Sequence, residues 1–220
     1  MLSAEAAAWL VVVGFGVYHG LNPSMGWPLA VANGLAARRD AAVFATVLPL
    51  GVGHLLAMAV VLVPFTLLAW YVEWSRAVRI GAGLLVLGFG VFRLARPRHP
   101  RFLARVPPTR LAWWSFLMAT AHGAGLMLVP IALGLCASEA AQHGHLAIGT
   151  GVATAVLMAL VHTAVMIACG LALAWTVYRW LGLRFITRSW FNLEAVWAAS
   201  LVLTGAIAAA MAWTAPHDLG

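Results

Sequence analysis

Four histidines, His19, His54, His122 and His162, fall inside the most apolar parts of this chain. A neutral imidazole can ligate a transition metal or pass a proton, and few other side chains do either inside an apolar segment. His54 is followed four residues on by Met58, and His162 by Met166. That spacing puts each pair on one face of a helix. His19 and His122 lead instead to Met25 and Met127, each with a proline three residues further, Pro28 and Pro130. Imidazole nitrogen suits zinc, copper, iron, nickel and cobalt, whereas thioether sulfur favours soft ions, above all Cu(I). Asn22 adds a carbonyl oxygen beside His19. The expected metal-ligating set is therefore His19, Asn22, Met25, His54, Met58, His122, Met127, His162 and Met166. No carboxylate accompanies it. Asp40 and Glu194 stand near one set of segment ends, and Glu5, Glu139 and Asp218 near the other. A dehydrated divalent ion would lack a countercharge at low dielectric, so the set suits a monovalent soft ion or a partly hydrated divalent one.

The elements that must hold these residues follow from composition. The chain has 220 residues, 64% of them hydrophobic and 9% charged, against about 25% charged in soluble domains. Lipid is the expected solvent. Six apolar windows, near residues 9–33, 41–67, 77–95, 111–135, 147–177 and 191–213, approach the roughly 20 residues that cross a bilayer as a helix. Strand-like alternation is absent, which removes a β-barrel. The predicted fold is all-α, a polytopic membrane protein of six transmembrane helices. Each of the four histidines lies within a few residues of its window's midpoint, so at about 1.5 Å rise per residue they share one layer. Prolines break the pattern at the same level. Pro23, Pro28 and Pro130 cannot donate to the carbonyls four residues back, those of His19, Ser24 and Leu126. Broken helix inside lipid is tolerated where protein or a wet cavity satisfies the freed groups. Gly16, Gly20, Gly123 and Gly125 would let backbones approach closely there.

The polar run recurs. "YHGLNPSMGWPLAVANGL" aligns with "AHGAGLMLVPIALGL", and "GHLLAMAVVLV" with "VHTAVMIACGLAL". The predicted organisation is a three-helix repeat over 1–95, an arginine- and proline-rich cytoplasmic linker over 96–110, and a second repeat over 111–220. Three helices is an odd number, so the repeats must enter the membrane in opposite senses, as in many secondary transporters. Arginines orient the bundle. Arg38, Arg39, the six from Arg93 to Arg110, and Arg179, Arg184 and Arg188 fall on one side, with Arg76 and Arg79 against the trend. The positive-inside rule then puts both termini on the non-cytoplasmic side. Nine of the eleven tryptophans sit near segment ends, as an interfacial belt would have them; Trp27 and Trp197 do not.

Other classes recede. The net charge of +7 reads as loop orientation, with no basic, aromatic-laced surface for nucleic acid. Cys136 and Cys169 are far apart and support neither a disulfide framework nor a zinc ribbon. The first residues lack the charged start and cleavage site of a signal peptide and read as the opening of the first helix. His143, His145 and His217 could collect metal outside, while His99 reads as solvated. No nucleophile, base and orienting acid share one depth, so the chain does not read as an enzyme.

The stretch "YHGLNPSMGWP" resembles the first-helix signature of nickel/cobalt transporters of the NicO and NiCoT type. The 3+3 arrangement is similar to that of the LysE superfamily, which includes thiol-redox carriers of the CcdA/DsbD type. The resemblance implies transport in a bacterial inner membrane. Where the metal families place Asp or Glu after the histidine this chain has Asn22, and where the redox carriers place cysteine it has Ser24. The expected function is carriage of a transition-metal ion (copper, nickel or cobalt) through a midplane site, with that ion, the bilayer and further copies of the chain as partners and no organic cofactor. Two alternatives stand beside it: a haem-binding electron-transfer protein using paired histidines, and a LysE-type exporter of a small organic solute with a histidine proton relay.

Overall fold

A computed structural model describes residues 3–71, 76–95, 106, 108–143, 147–181 and 193–214. Among these the protein is all-helical, with no strand. The elements are α1 (Ala4–Leu21), a 3-10 turn (Pro23–Met25), α2 (Trp27–Ala37), α3 (Asp40–Tyr71), α4 (Arg76–Ala95), α5 (Leu111–His122), α6 (Ala124–His143), α7 (Ala147–Thr176) and α8 (Leu193–Thr214). A second 3-10 turn (Pro108–Arg110) leads into α5, and a π-helical turn (Val177–Leu181) follows α7. Two helical stretches, Asp40–Leu67 and Gly151–Trp180, are long and apolar enough to cross a membrane. Counting the α5–α6 pair, bent by 62°, as one span makes three. The expectations placed on residues 96–105, Arg184, Arg188, His99, His145 and His217 lie outside the described residues.

The start and stop of each helix near the histidines can be read from local chemistry. Ser3 caps α1 by accepting the Ala6 N–H at 3.1 Å, and Glu5 lies in the first turn, where a negative charge is favoured. α1 ends because Asn22 precedes a proline, which pushes it to extended backbone, φ −71° and ψ 120°. Gly26 reverses the chain at φ 102°, a conformation glycine alone adopts cheaply. Pro28 then sits in the first turn of α2, where its missing N–H costs nothing. α5 stops at Gly123, φ 70°.

The prolines do not all act as expected. The His19 carbonyl is not left free by Pro23, since the Asn22 N–H bonds it at 3.1 Å. Pro28 starts a helix instead of breaking one. Pro130 lies inside α6, and the break in the fourth apolar segment is at Gly123. The reason is that a proline removes one hydrogen bond, whereas a left-handed glycine redirects the whole chain.

The residues pack as two compact units, each drawn from both halves of the sequence. One contains Met1–Val60, His99–Ala124 and Val156–Phe191, and the other Val61–Arg98, Gly125–Ala155 and Asn192–Gly220. In the first, Trp27, Ala30 and Val31 of α2 pack with Val43 and Val47 of α3 and with Ala174 and Val177 at the end of α7. Leu29, Leu50 and Leu111 make a second apolar cluster. In the other unit α4 and α8 pack along their lengths. A Cβ on Gly83 would lie 2.7 Å from the Ala209 nitrogen, and one on Gly205 2.4 Å from that of Leu87. Small residues allow that approach where burial of apolar area supplies no drive.

Several polar side chains are buried among the apolar ones, and many large apolar side chains face outward. His19, Asn22, Ser24, His54, Ser115, His122 and His162 are buried, while Leu10, Leu48, Val60, Leu84, Leu203 and Trp213 lie more than half exposed. Large apolar side chains facing outward, with polar groups buried inside apolar segments, are compatible with hydrocarbon surroundings.

Candidate functional site

Glycines set the distances at which the histidine-bearing helices meet. Gly16 and Gly20 sit one turn apart on α1. A Cβ at Gly16 would lie 2.9 Å from the His162 carbonyl, and one at Gly20 2.6 Å from the Met166 carbonyl. α1 and α7 are therefore in backbone contact on both sides of His19. Gly51 faces Ile167 of α7, and Gly53 would place a Cβ 2.0 Å from the Ala112 carbonyl of α5. The Ser115 hydroxyl also donates to the Leu50 carbonyl at 2.6 Å, tying α5 to α3.

This close packing brings three imidazoles together. Ring centroids are 5.7 Å apart for His19 and His54, 4.9 Å for His19 and His162, and 5.5 Å for His54 and His162. His54 and His162 are stacked within 10° of parallel, and His19 stands edge-on to both. All three are fully buried. Three imidazoles held through nitrogen about 2.1 Å from one ion have centroids roughly 5 to 6 Å apart. That spacing is compatible with shared coordination and equally with the ordinary contact of packed rings. As the rings now stand, no group of three or more His, Cys, Asp or Glu among the described residues is arranged to hold a metal ion.

The tautomer of His19 is set by its own helix. Nδ1 lies 3.0 Å from the Phe15 carbonyl, which can only accept, so Nδ1 carries the proton and Nε2 keeps its lone pair. That is how ligating histidines are commonly oriented. His122 repeats the device, donating from Nδ1 to the Met118 carbonyl at 2.7 Å, and lies within electrostatic range of His19 and His54. Nε2 of His19 and both ring nitrogens of His54 are buried with no hydrogen-bond partner. The Val12 backbone approaches the His162 ring without completing a hydrogen bond to either nitrogen. Each such group costs about 1–3 kcal/mol when left without any partner.

The remaining sequence candidates take different places. Asn22 is buried, but its Oδ1 accepts both the Ser24 N–H, at 3.0 Å, and the Ser24 hydroxyl. It holds the helix break in shape. Trp27 braces the same break by donating to the Leu21 carbonyl at 3.2 Å. Met25 and Met166 line a cavity of about 20 Å³ together with Gly20, Trp27, Leu50 and Gly170. Met58 is fully buried on α3, one turn beyond His54, and Met127 is fully buried in the second unit. Sequence reasoning did not single out Gly51 or Gly53, although glycines flanking a histidine in an apolar helix were a readable signal of close approach. The carbonyls that orient His19 and His122 left no mark in the sequence, since every helix offers a carbonyl four residues back.

No protein-family model matches this chain, and no curated protein or solved structure matches it either.

Proposed function

We propose that the protein is a membrane carrier for a transition-metal ion, bound by His19, His54 and His162 and released by relative movement of the helices that bear them. The observation that carries this reading is the meeting of three imidazoles from three helices at centroid spacings compatible with one shared ion, with Nε2 of His19 and both ring nitrogens of His54 buried and without a protein partner. A purely structural core would have little reason to keep such groups without protein partners. A cation is the occupant that neutral, lone-pair-bearing nitrogens recognise. A rigid, fully converged cage would also trap its ion, whereas carriage needs a site that can release it.

Six spans in two inverted repeats fit the order of the helices. Each half runs as a broken pair, a long helix and a shorter one: α1–α2, α3 of 32 residues and α4 of 20, then α5–α6, α7 of 30 and α8 of 22. His19 and His122 both lie in the last turn of the first member of a broken pair, with the same ring-to-carbonyl bond. His54 and His162 both lie mid-way along a long helix. Alternating access would then rock one repeat against the other. The likeness of "YHGLNPSMGWP" to nickel/cobalt transporters points toward the same class of cargo.

The test is uptake into proteoliposomes, measured with Co²⁺, Ni²⁺ and Ag⁺ in turn. Wild type should transport at least one of them. His54→Ala and His162→Ala should each abolish that transport while keeping native helix content. Normal transport by both variants would remove the site from the pathway, and no transport by wild type would remove the function.

A further inference from the structure

Resting on the carrier reading, we propose that Met25 and Met166 form a thioether site beside the histidine triad, and that the cargo is a monovalent soft cation of the Cu(I) class. The two methionines come from unrelated places, the 3-10 turn of the helix break and the middle of α7, so helical periodicity does not account for their meeting. Both are almost wholly buried, and both line the cavity of about 20 Å³, room for about one water-sized occupant. Gly20 and Gly170 in the same wall present no side chain that could compete. The Asn22–Ser24 hydrogen bonds hold the turn that carries Met25.

Position and charge both support the assignment. Gly20, which directly follows His19, lines the same cavity, and Met166 lies one turn beyond His162 on α7, so the elements that carry the imidazoles also carry the cavity wall. Thioethers bind hard and borderline divalent ions poorly and soft monovalent ones well. Among the described buried residues there is no Asp or Glu. Both donor sets are neutral, and the cost of bringing a bare ion into low dielectric grows with the square of its charge. A single positive charge is the one such a pair of sites can take dry.

The experiment uses the full chain in detergent micelles, with Ag⁺ as a redox-inert probe and Co²⁺ as the divalent control. Wild type should bind Ag⁺ in preference to Co²⁺. The double variant Met25→Leu/Met166→Leu, which conserves volume and hydrophobicity, should lose about tenfold or more in Ag⁺ affinity with its thermal midpoint kept. X-ray absorption at the silver edge of loaded wild type, which needs no variant, should show sulfur neighbours. A nitrogen-only shell, unchanged Ag⁺ affinity in the double variant, or wild type that takes Co²⁺ but not Ag⁺ would each overturn the thioether site and leave the histidine carrier standing. Wild type that binds neither ion would bring down the carrier reading itself, and this one with it.

Discussion

At the scale of single residues, the decisive feature is a mismatch between what the histidines are and where they stand. A buried polar group ordinarily keeps a partner. His54 keeps none on either ring nitrogen, and His19 keeps one of two. Stability and activity therefore pull in opposite directions here. Replacing His54 by leucine removes a buried polar ring that has no protein partner and leaves a side chain of similar bulk. That change should raise the thermal midpoint, by up to the equivalent of about 1–3 kcal/mol, while eliminating metal binding. Differential scanning fluorimetry in detergent, paired with metal titration, measures both. A drop in midpoint would mean the imidazole is a structural residue after all. The four histidines were legible from the sequence as rare ionisable groups inside apolar segments. Which of them meet was not, because side-chain convergence depends on how each helix is rotated about its own axis.

At the scale of elements, glycine governs how closely α1, α3, α5 and α7 approach, and so where the rings can be. Gly53 is the tightest of these positions, with an added Cβ only 2.0 Å from the Ala112 carbonyl. Gly53→Ala should force α3 and α5 apart and cost about 1–3 kcal/mol, with weaker metal binding as His54 is displaced. Gly14→Ala, where nothing lies within 4 Å, should instead stabilise α1 by about 0.5–1 kcal/mol through its better helix propensity. Unfolding of the two variants in a graded denaturing detergent distinguishes them; equal effects would mean that close packing is not what these glycines provide. The first helix break was readable from Asn22 and Pro23 together, because the residue before a proline avoids helical backbone. The second was misplaced onto Pro130. A proline is visible in a sequence, but helix continuity around it depends on neighbours that no local rule sees, and Gly123 alone did not announce a turn.

At the scale of the whole molecule, topology is the open test. Two inverted three-helix repeats require both termini to lie on one side, with the arginine-rich segment 96–110 opposite. Single cysteines introduced at Ser3 and at Thr214, in a background with Cys136 and Cys169 replaced, should both react with an impermeant thiol reagent added to intact cells. Labelling of only one would give an odd number of crossings and end the inverted-repeat reading. Composition and apolar window length by themselves determined the helical class seen among the described residues, and marked the histidines as polar residues inside apolar segments. These are one-dimensional properties, set by solvent preference and by rise per residue. Only the tertiary structure decided that His19, His54 and His162 face one another, that Asn22 serves the helix break instead of a ligand set, and that Met25 and Met166 share a cavity. Those facts depend on the rotation and approach of packed helices, which arise from contacts between residues far apart in the chain.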